Sequence, residues 1–491
     1  MTTLAIADHK RWSALILLCL GELMIVLDTT IVNVALPSIQ ADLQFSETAL
    51  VWVVNAYMLT YGGFLLLGGR LGDLYGHRRL FLAGIVAFTL ASLACGLAQT
   101  QTLLVAARAV QGLGGAVVSA VALSLIMNLF TEPHERARAM GVYGFVCAGG
   151  GSVGVLLGGV LTSALSWHWV FLVNLPLGVA IYFASLALLP DGRGQGAGQR
   201  LDVAGAISIT AALMLAVYAV VNGNGLGWTS TPIRLLLGAS VVLFALFLVI
   251  EARVQTPLVP LGLFRLRNLA LSNMIGVLWA AAMFAWFFVS ALYMQLVLGY
   301  SAMQVGLAFL PSNLIMAAFS LGLSARMVMR WGIRGPIAAG LLLAAIGLAL
   351  FARAPVQGDF WLDVLPGMLL LGLGSGMALN PLLLAAMDGV QPDQSGLASG
   401  VVNTAFMMGG ALGLAVLASL ADARTGALRA SGMDTVQALH GGYALAFLLG
   451  AVAGGIAAAL GGLLHPTQQP GAHGDTMAQS AHASAASSGN P

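Results

Sequence analysis

Ser13-Ala-Leu-Ile-Leu-Leu-Cys-Leu-Gly-Glu22-Leu-Met-Ile-Val-Leu-Asp28-Thr-Thr-Ile-Val-Asn33-Val-Ala-Leu36 carries two charged side chains in 24 residues. A bilayer core of roughly 30 Å takes about 20 mostly apolar residues per helix, so the stretch reads as a membrane span. It follows Lys10 and Arg11 as a secretory signal would. It lacks a small-residue cleavage site, however, and its polar groups make sense only in a retained helix.

The rest of the chain agrees. Of its 491 residues 59% are apolar and 8% charged, with mean hydropathy +0.93. Soluble proteins carry about 25% charged residues, so a soluble enzyme, a nucleic-acid binder and a disordered scaffold are excluded. A net charge of +2 gives no reason to expect a polyanionic partner. Cys19, Cys95 and Cys147 sit in apolar runs without ligand spacing and read as small buried hydrophobes.

Thirteen more runs follow, at about 48–68, 80–98, 102–127, 138–163, 168–189, 202–221, 233–250, 269–298, 304–324, 335–352, 362–386, 396–420 and 442–464. Fourteen spans with both termini inside put fifteen of the 20 basic residues in cytoplasmic loops, the asymmetry that the positive-inside rule requires. Seven of the 9 tryptophans fall near span ends, as an interfacial belt should. The Gln-, Ala- and Ser-rich residues from 465 onward read as a disordered cytoplasmic tail.

Arg70-Leu-Gly-Asp73-Leu-Tyr-Gly76-His-Arg78 follows span 2, and Arg326-Met-Val-Met-Arg-Trp-Gly332-Ile-Arg334 follows span 10, at a constant offset of 256. Parallel six-helix repeats are a transporter architecture with the substrate site near the midplane between halves. The chain then divides into an N-terminal half (1–189), two inserted spans (190–255), a C-terminal half (256–465) and the tail (466–491).

Charges inside hydrocarbon cost about 2.5–3.5 kcal/mol each at a helix centre, so each needs a reason. Glu22, Asp28 and Arg108 are such charges. Counting helical rise, Asp28 lies roughly 10 Å and Arg108 about 9 Å below the outer end, so the two can pair. The pair is either a permanent tie fixing helix register or a proton relay loosened by solvent or substrate. Glu22 is about 120° around from Asp28 and about 9 Å deeper, so both cannot face one point of a cavity on a regular helix. Its midplane level makes it the better candidate for meeting substrate. The C-terminal half offers only neutral interior groups, among them Asn273, Gln295, Asn313, Asn380 and Asn403. The aromatics of span 9, Trp286 included, form either a wall for apolar ligands or ordinary packing.

Leu27-Asp-Thr-Thr-Ile-Val-Asn33-Val-Ala-Leu-Pro37 resembles the signature of the fourteen-span drug:proton antiporters of the major facilitator superfamily (the EmrB/QacA group). Gly69-Arg-Leu-Gly-Asp73-Leu-Tyr-Gly76-His-Arg78 is similar to the superfamily's loop between helices 2 and 3. Arg108-Ala-Val-Gln111-Gly112-Leu-Gly114-Gly115 is similar to its span 4 motif. Trp167-His-Trp169-Val-Phe-Leu-Val-Asn174-Leu-Pro176-Leu-Gly178 and Leu292-Tyr-Met-Gln295-Leu-Val-Leu-Gly299-Tyr300 also match. The resemblance implies an all-α major facilitator fold of 6+2+6 helices around a central cavity. It implies proton coupling through Asp28, Glu22 and Arg108, and a conformational latch at Gly69, Asp73, Gly76 and Arg78. Gly150, Gly154, Gly158 and Gly159 would form the antiporter seam of span 5, and Asn33, Gln111, Trp286, Gln295 and Asn313 would border the substrate cavity. Span 5 has Val155 where the antiporter motif has proline, so the proline bend is not supplied.

The expected activity is export of lipophilic drugs or toxic metabolites across the cell membrane, driven by the proton gradient with no cofactor. The alternative, motivated by Val155, is a carrier for uptake or exchange of a small metabolite. An enzyme is not expected, since the histidines are scattered and no phosphate-binding lysine loop occurs. A periplasmic adaptor is compatible with the chain, but no long extramembrane segment indicates one.

Overall fold

The computed structural model describes residues 8–130, 132–189, 202–391 and 394–465. Residues 190–201, the start of the stretch assigned to the inserted spans, and the tail expected at 466–491 lie outside the described residues. Within them every regular element is helical.

The N-terminal half comprises α1 (Asp8–Leu43), α2 (Glu47–Tyr75), α3 (His77–Gly96), α4 (Gln101–Leu129), α5 (Pro133–Ala164) and α6 (Asn174–Leu188), with one turn at Trp169–Leu172 leading into α6. Next come α7 (Val203–Leu226) and α8 (Thr231–Arg253). The C-terminal half comprises α9 (Arg267–Leu292), α10 (Ala302–Ala318), α11 (Arg334–Arg353), α12 (Leu365–Met387), α13 (Ser395–Ala430) and α14 (Thr435–Gly461). Among the described residues thirteen helices are long and apolar enough to cross a membrane, and α10 is the shorter fourteenth.

The run expected at 304–324 is interrupted. After α10 comes a π turn at Phe319–Leu323 and then a helix at Ser324–Trp331, with a kink at Gly322, whose φ is 125°. Glycine takes that angle without steric penalty. Side chains cap the helices that follow the α1–α2, α3–α4 and α9–α10 turns. Ser46 Oγ accepts from Ala49 N at 3.1 Å, Thr100 Oγ1 from Leu103 N at 3.2 Å, and Ser301 and Gln304 form a capping box.

The repeat seen in the sequence recurs in backbone geometry. Gly76 has φ 94° and donates its N–H to Gly72 O at 3.0 Å; Gly332 has φ 69° and donates to Val328 O at 2.8 Å. Arg78 Nη2 donates to Leu186 O at the end of α6, 2.6 Å away, and Arg334 Nη2 donates to Gly462 O just past the end of α14. Each half thus uses the same arginine to cap the last helix of its own bundle. The halves meet along two matching seams, α2 against α13 and α5 against α10, each the second helix of one half on the fifth of the other.

The inserted pair sits beside one seam. α7 packs on both α2 and α13, and α8 packs on α7 with Leu235, Val241 and Val242 about two-thirds exposed, as lipid-facing side chains are.

Four polar ties join the halves. Gln295 Nε2 donates to Val34 O (3.0 Å), Asn55 Nδ2 to Ala411 O (2.8 Å), Met303 N to Ser163 Oγ (3.1 Å), and Arg429 lies 3.8 Å from Glu47. At the other end of α5, Gly141, Gly144 and Gly149 face open space.

Candidate functional site

The deepest charges of the chain meet. Asp28 on α1 and Arg108 on α4 are exposed by 0% and 1%, and Arg108 Nη1 donates to Asp28 Oδ2 at 2.5 Å. The guanidinium has further partners. Nη1 also donates to Gln111 Oε1 (2.7 Å), Nε donates to Val53 O on α2 (2.8 Å), and Cζ lies 4.4 Å from the Tyr57 ring and 5.6 Å from the Phe171 ring. Cation–π contact and planar hydrogen bonding suit arginine, not lysine.

The carboxylate is equally enclosed. Asp28 Oδ1 accepts from Gln111 Nε2 (2.7 Å) and from Asn174 Nδ2 on α6 (3.0 Å). Ser92 on α3 accepts from the same two amides, at 2.8 and 3.4 Å. The network therefore draws on α1, α2, α3, α4 and α6. Neutralising Asp28 would leave Arg108 with carbonyl, amide and aromatic partners only.

Glu22 has a separate environment. It is buried and accepts from Ser119 Oγ on α4 at 2.8 and 3.0 Å, and Tyr143 on α5 also hydrogen-bonds to it. α1 runs without interruption through both acids, so they have different partners, as their angular separation requires.

The span 5 glycines do not form one seam. A Cβ on Gly150 would lie 2.9 Å from Leu23 Cδ1, on Gly154 3.0 Å from Leu27 O, and on Gly158 2.6 Å from Ile31 O, so these three seat α5 on α1 within the same half. Gly159 alone faces the other half, 2.9 Å from Ala302 O on α10. The reason is angular: the three recur every four residues on one helical face, while Gly159 is turned about 100° from Gly158. Val155, where the motif has proline, is buried, and its carbonyl lies 3.0 Å from where a Cβ on Gly306 of α10 would be. α5 is continuous there.

The inner turn is only partly visible. Gly76 makes the left-handed turn between α2 and α3, and a Cβ on Gly69 would meet only Ala120, at 3.9 Å. Arg78 reaches the α6 terminus. The Asp73 side chain lies outside the described residues, as does that of Cys147. Cys19 and Cys95 are buried free thiols.

The cavity residues expected from the sequence are dispersed. Gln111 belongs to the Asp28–Arg108 network, a correction that follows from its place one turn along the same face of α4. Trp286 is a core residue, 1% exposed, with ring centroids 4.4 Å from Phe287 and 5.8 Å from Phe309; its large apolar ring is buried in packing. Asn33 is turned back on its own helix, donating to Thr29 O at 3.1 Å, and Gln295, in the turn after α9, donates to Val34 O of α1. Asn313 is buried with its amide nitrogen unpartnered. Sequence reasoning missed Ser92, Tyr57, Ser119 and Tyr143 as partners of the buried charges. It noted Asn174 only as part of a motif. Asn174 at the head of an apolar span was a usable signal, but a serine or tyrosine inside a helix gives none.

With this geometry in place, comparison with known proteins identifies the class. The Major Facilitator Superfamily model matches residues 18–414. The chain is 39% identical over 451 residues to the puromycin resistance protein of Streptomyces alboniger, covering 90% of this chain and 89% of that protein. It is 38% identical over 435 residues to the cephamycin export protein of Amycolatopsis lactamdurans, covering 88% of each. A crystal structure of an auto-inhibited peptide transporter of the POT family superposes with a TM-score of 0.65 at 14% identity, covering 91% of this chain and 97% of that one, a likeness of fold. The chain belongs to the major facilitator superfamily and is a multi-pass membrane protein.

Proposed function

We propose that this chain exports lipophilic drugs or toxic metabolites across the cell membrane in exchange for inward-moving protons. The observation that carries the reading is the Asp28–Arg108 pair, fully buried, with the carboxylate accepting from Gln111 and Asn174 and the guanidinium also donating to Gln111 Oε1 and Val53 O. Relatives named for puromycin resistance and cephamycin export favour outward movement over uptake, although α5 has valine in place of the antiporter proline.

In this reading a proton arriving on Asp28 cancels its charge and releases Arg108 toward Gln111 and Val53 O, and the helices of the first half shift accordingly. Glu22, between α1, α4 and α5, is a second proton acceptor, and Ser119 and Tyr143 hold it in place. Gly159 is the glycine at the moving α5–α10 seam, whereas Gly150, Gly154 and Gly158 keep α1 and α5 together as one body. The inner turn at Gly69, Asp73, Gly76 and Arg78 acts as the latch. The halves 1–189 and 256–465 rock about the two seams with residues 190–255 carried beside them, both termini on the cytoplasmic side. No cofactor takes part, the protein is a carrier and not an enzyme, and its partners are the small substrate, protons and lipid.

The test is a resistance profile. A pump-deficient bacterial host expressing the chain should tolerate higher concentrations of several lipophilic antibiotics and lose that tolerance when a protonophore is added. Unchanged susceptibility to a broad panel would refute export.

A further inference from the structure

The inserted hairpin holds two buried carboxylates that the transport network does not use. Asp202 caps α7, its Oδ1 accepting from Gly205 N at 2.7 Å. Glu251 stands in the last turn of α8, its Oε2 accepting from Val259 N at 3.0 Å. One oxygen of each carboxylate is thus fixed by a backbone amide. The other two oxygens, Asp202 Oδ2 and Glu251 Oε1, are buried and accept no hydrogen bond. They converge on the bare Cα of Gly205, where a Cβ would sit 2.6 Å from the first and 2.9 Å from the second. The side chains are 4% and 3% exposed.

Two carboxylates sharing one buried site cannot both stay ionised without a counter-charge. Among the described residues no ion pair joins either carboxylate. Arg253 on α8 is exposed, Arg70 on α2 is half-buried, and Asp422, Arg424 and Arg429 on α13 lie at the opposite end of the hairpin, where Asn224 bonds to Asp422. Two free oxygens are too few for a hard metal cation, which takes roughly six or more oxygen ligands. They suffice for a hydrogen bond from a carboxylic acid to a carboxylate.

We propose that Asp202 and Glu251 bind one proton between them, forming a proton site at the foot of the inserted hairpin that is separate from Asp28. Its surroundings give it reach. Ala206, next to Gly205, packs in one cluster with Leu67 of α2 and Leu258, and Val259, whose amide holds Glu251, packs against the same cluster. Leu67 lies in α2, nine residues before Gly76, which makes the turn into α3. Gain or loss of the proton therefore acts on the wall of α2 that leads into that turn.

The experiment is infrared difference spectroscopy of the purified full-length protein between acid and alkaline buffer, with wild type, Asp202→Asn and Glu251→Gln compared. The wild type should show a protonated-carboxyl stretch that is lost in either variant, and each variant should release one proton fewer per chain on alkalinisation. A wild type without any buried protonated carboxyl overturns the proposal at once. So does a band of undiminished intensity in both variants (Glu22 contributes equally to all three proteins), or a variant-sensitive band removed at constant pH by sodium or magnesium chloride, which would mark a cation site. Proton counting needs no substrate, so the result is independent of the export reading.

Discussion

Arg108→Leu removes a charge from the most enclosed site in the protein while keeping much of its bulk. It deletes the bonds to Asp28 (2.5 Å), Gln111 (2.7 Å) and Val53 O (2.8 Å) and strands the Asp28 carboxylate with two amide donors, Gln111 and Asn174. Breaking a buried ion pair by removing one partner costs about 3–5 kcal/mol, because the other charge stays uncompensated. Asp28→Asn falls in the same range, with the guanidinium left on carbonyl, amide and ring. The double variant has no charge to strand, so it should recover about 2–3 kcal/mol relative to the sum of the singles. Reversible unfolding of the four proteins in mixed detergent–SDS micelles measures the cycle. Additivity within about 0.5 kcal/mol would refute a coupled buried pair.

Gly158→Leu should prevent stable folding, since even a Cβ would lie 2.6 Å from the Ile31 carbonyl; monodisperse elution with wild-type melting would contradict that packing. Gly159→Val should spare assembly of the half but hinder closure of the outer seam against Ala302, raising labelling of cysteines placed at the outer ends of α5 and α10. Trp279→Ala empties a fully buried ring site and should cost about 3–5 kcal/mol, read from the same unfolding assay. Arg334→Ala removes the cap on the end of α14 and should cost about 1 kcal/mol, matching Arg78→Ala at α6; a large difference between the two would argue against equivalent repeats.

The span pattern and the repeat were legible because both rest on local rules: apolar length for crossing helices, and a glycine forced to positive φ at the same point of each half. The Asp28–Arg108 meeting was legible from depth alone, since two lone charges at one level of a bilayer have few other partners. What surrounds them was not. Ser92 and Tyr57 belong to other helices, and their facing depends on rotations that neither length nor composition fixes. The span 5 glycines look like one stripe in sequence, yet two partners divide them because successive residues turn about 100°. Trp286 shows the limit of reading aromatic runs, since a ring lining a cavity and a ring filling a core are the same letters. Asp202 and Glu251 are 49 positions apart, one a helix cap and the other a helix end, and only the antiparallel packing of α7 on α8 brings them together.

The central claim is that charge on Asp28 links solute movement to protons. It is tested most directly in proteoliposomes by following a transported antibiotic under an imposed pH gradient, with wild type and Asp28→Asn at equal incorporation. Wild type should accumulate the antibiotic as the gradient drives it, and the variant should not, although it still binds the antibiotic. Accumulation in the variant at the wild-type rate, or wild-type flux that ignores the gradient, would contradict the claim.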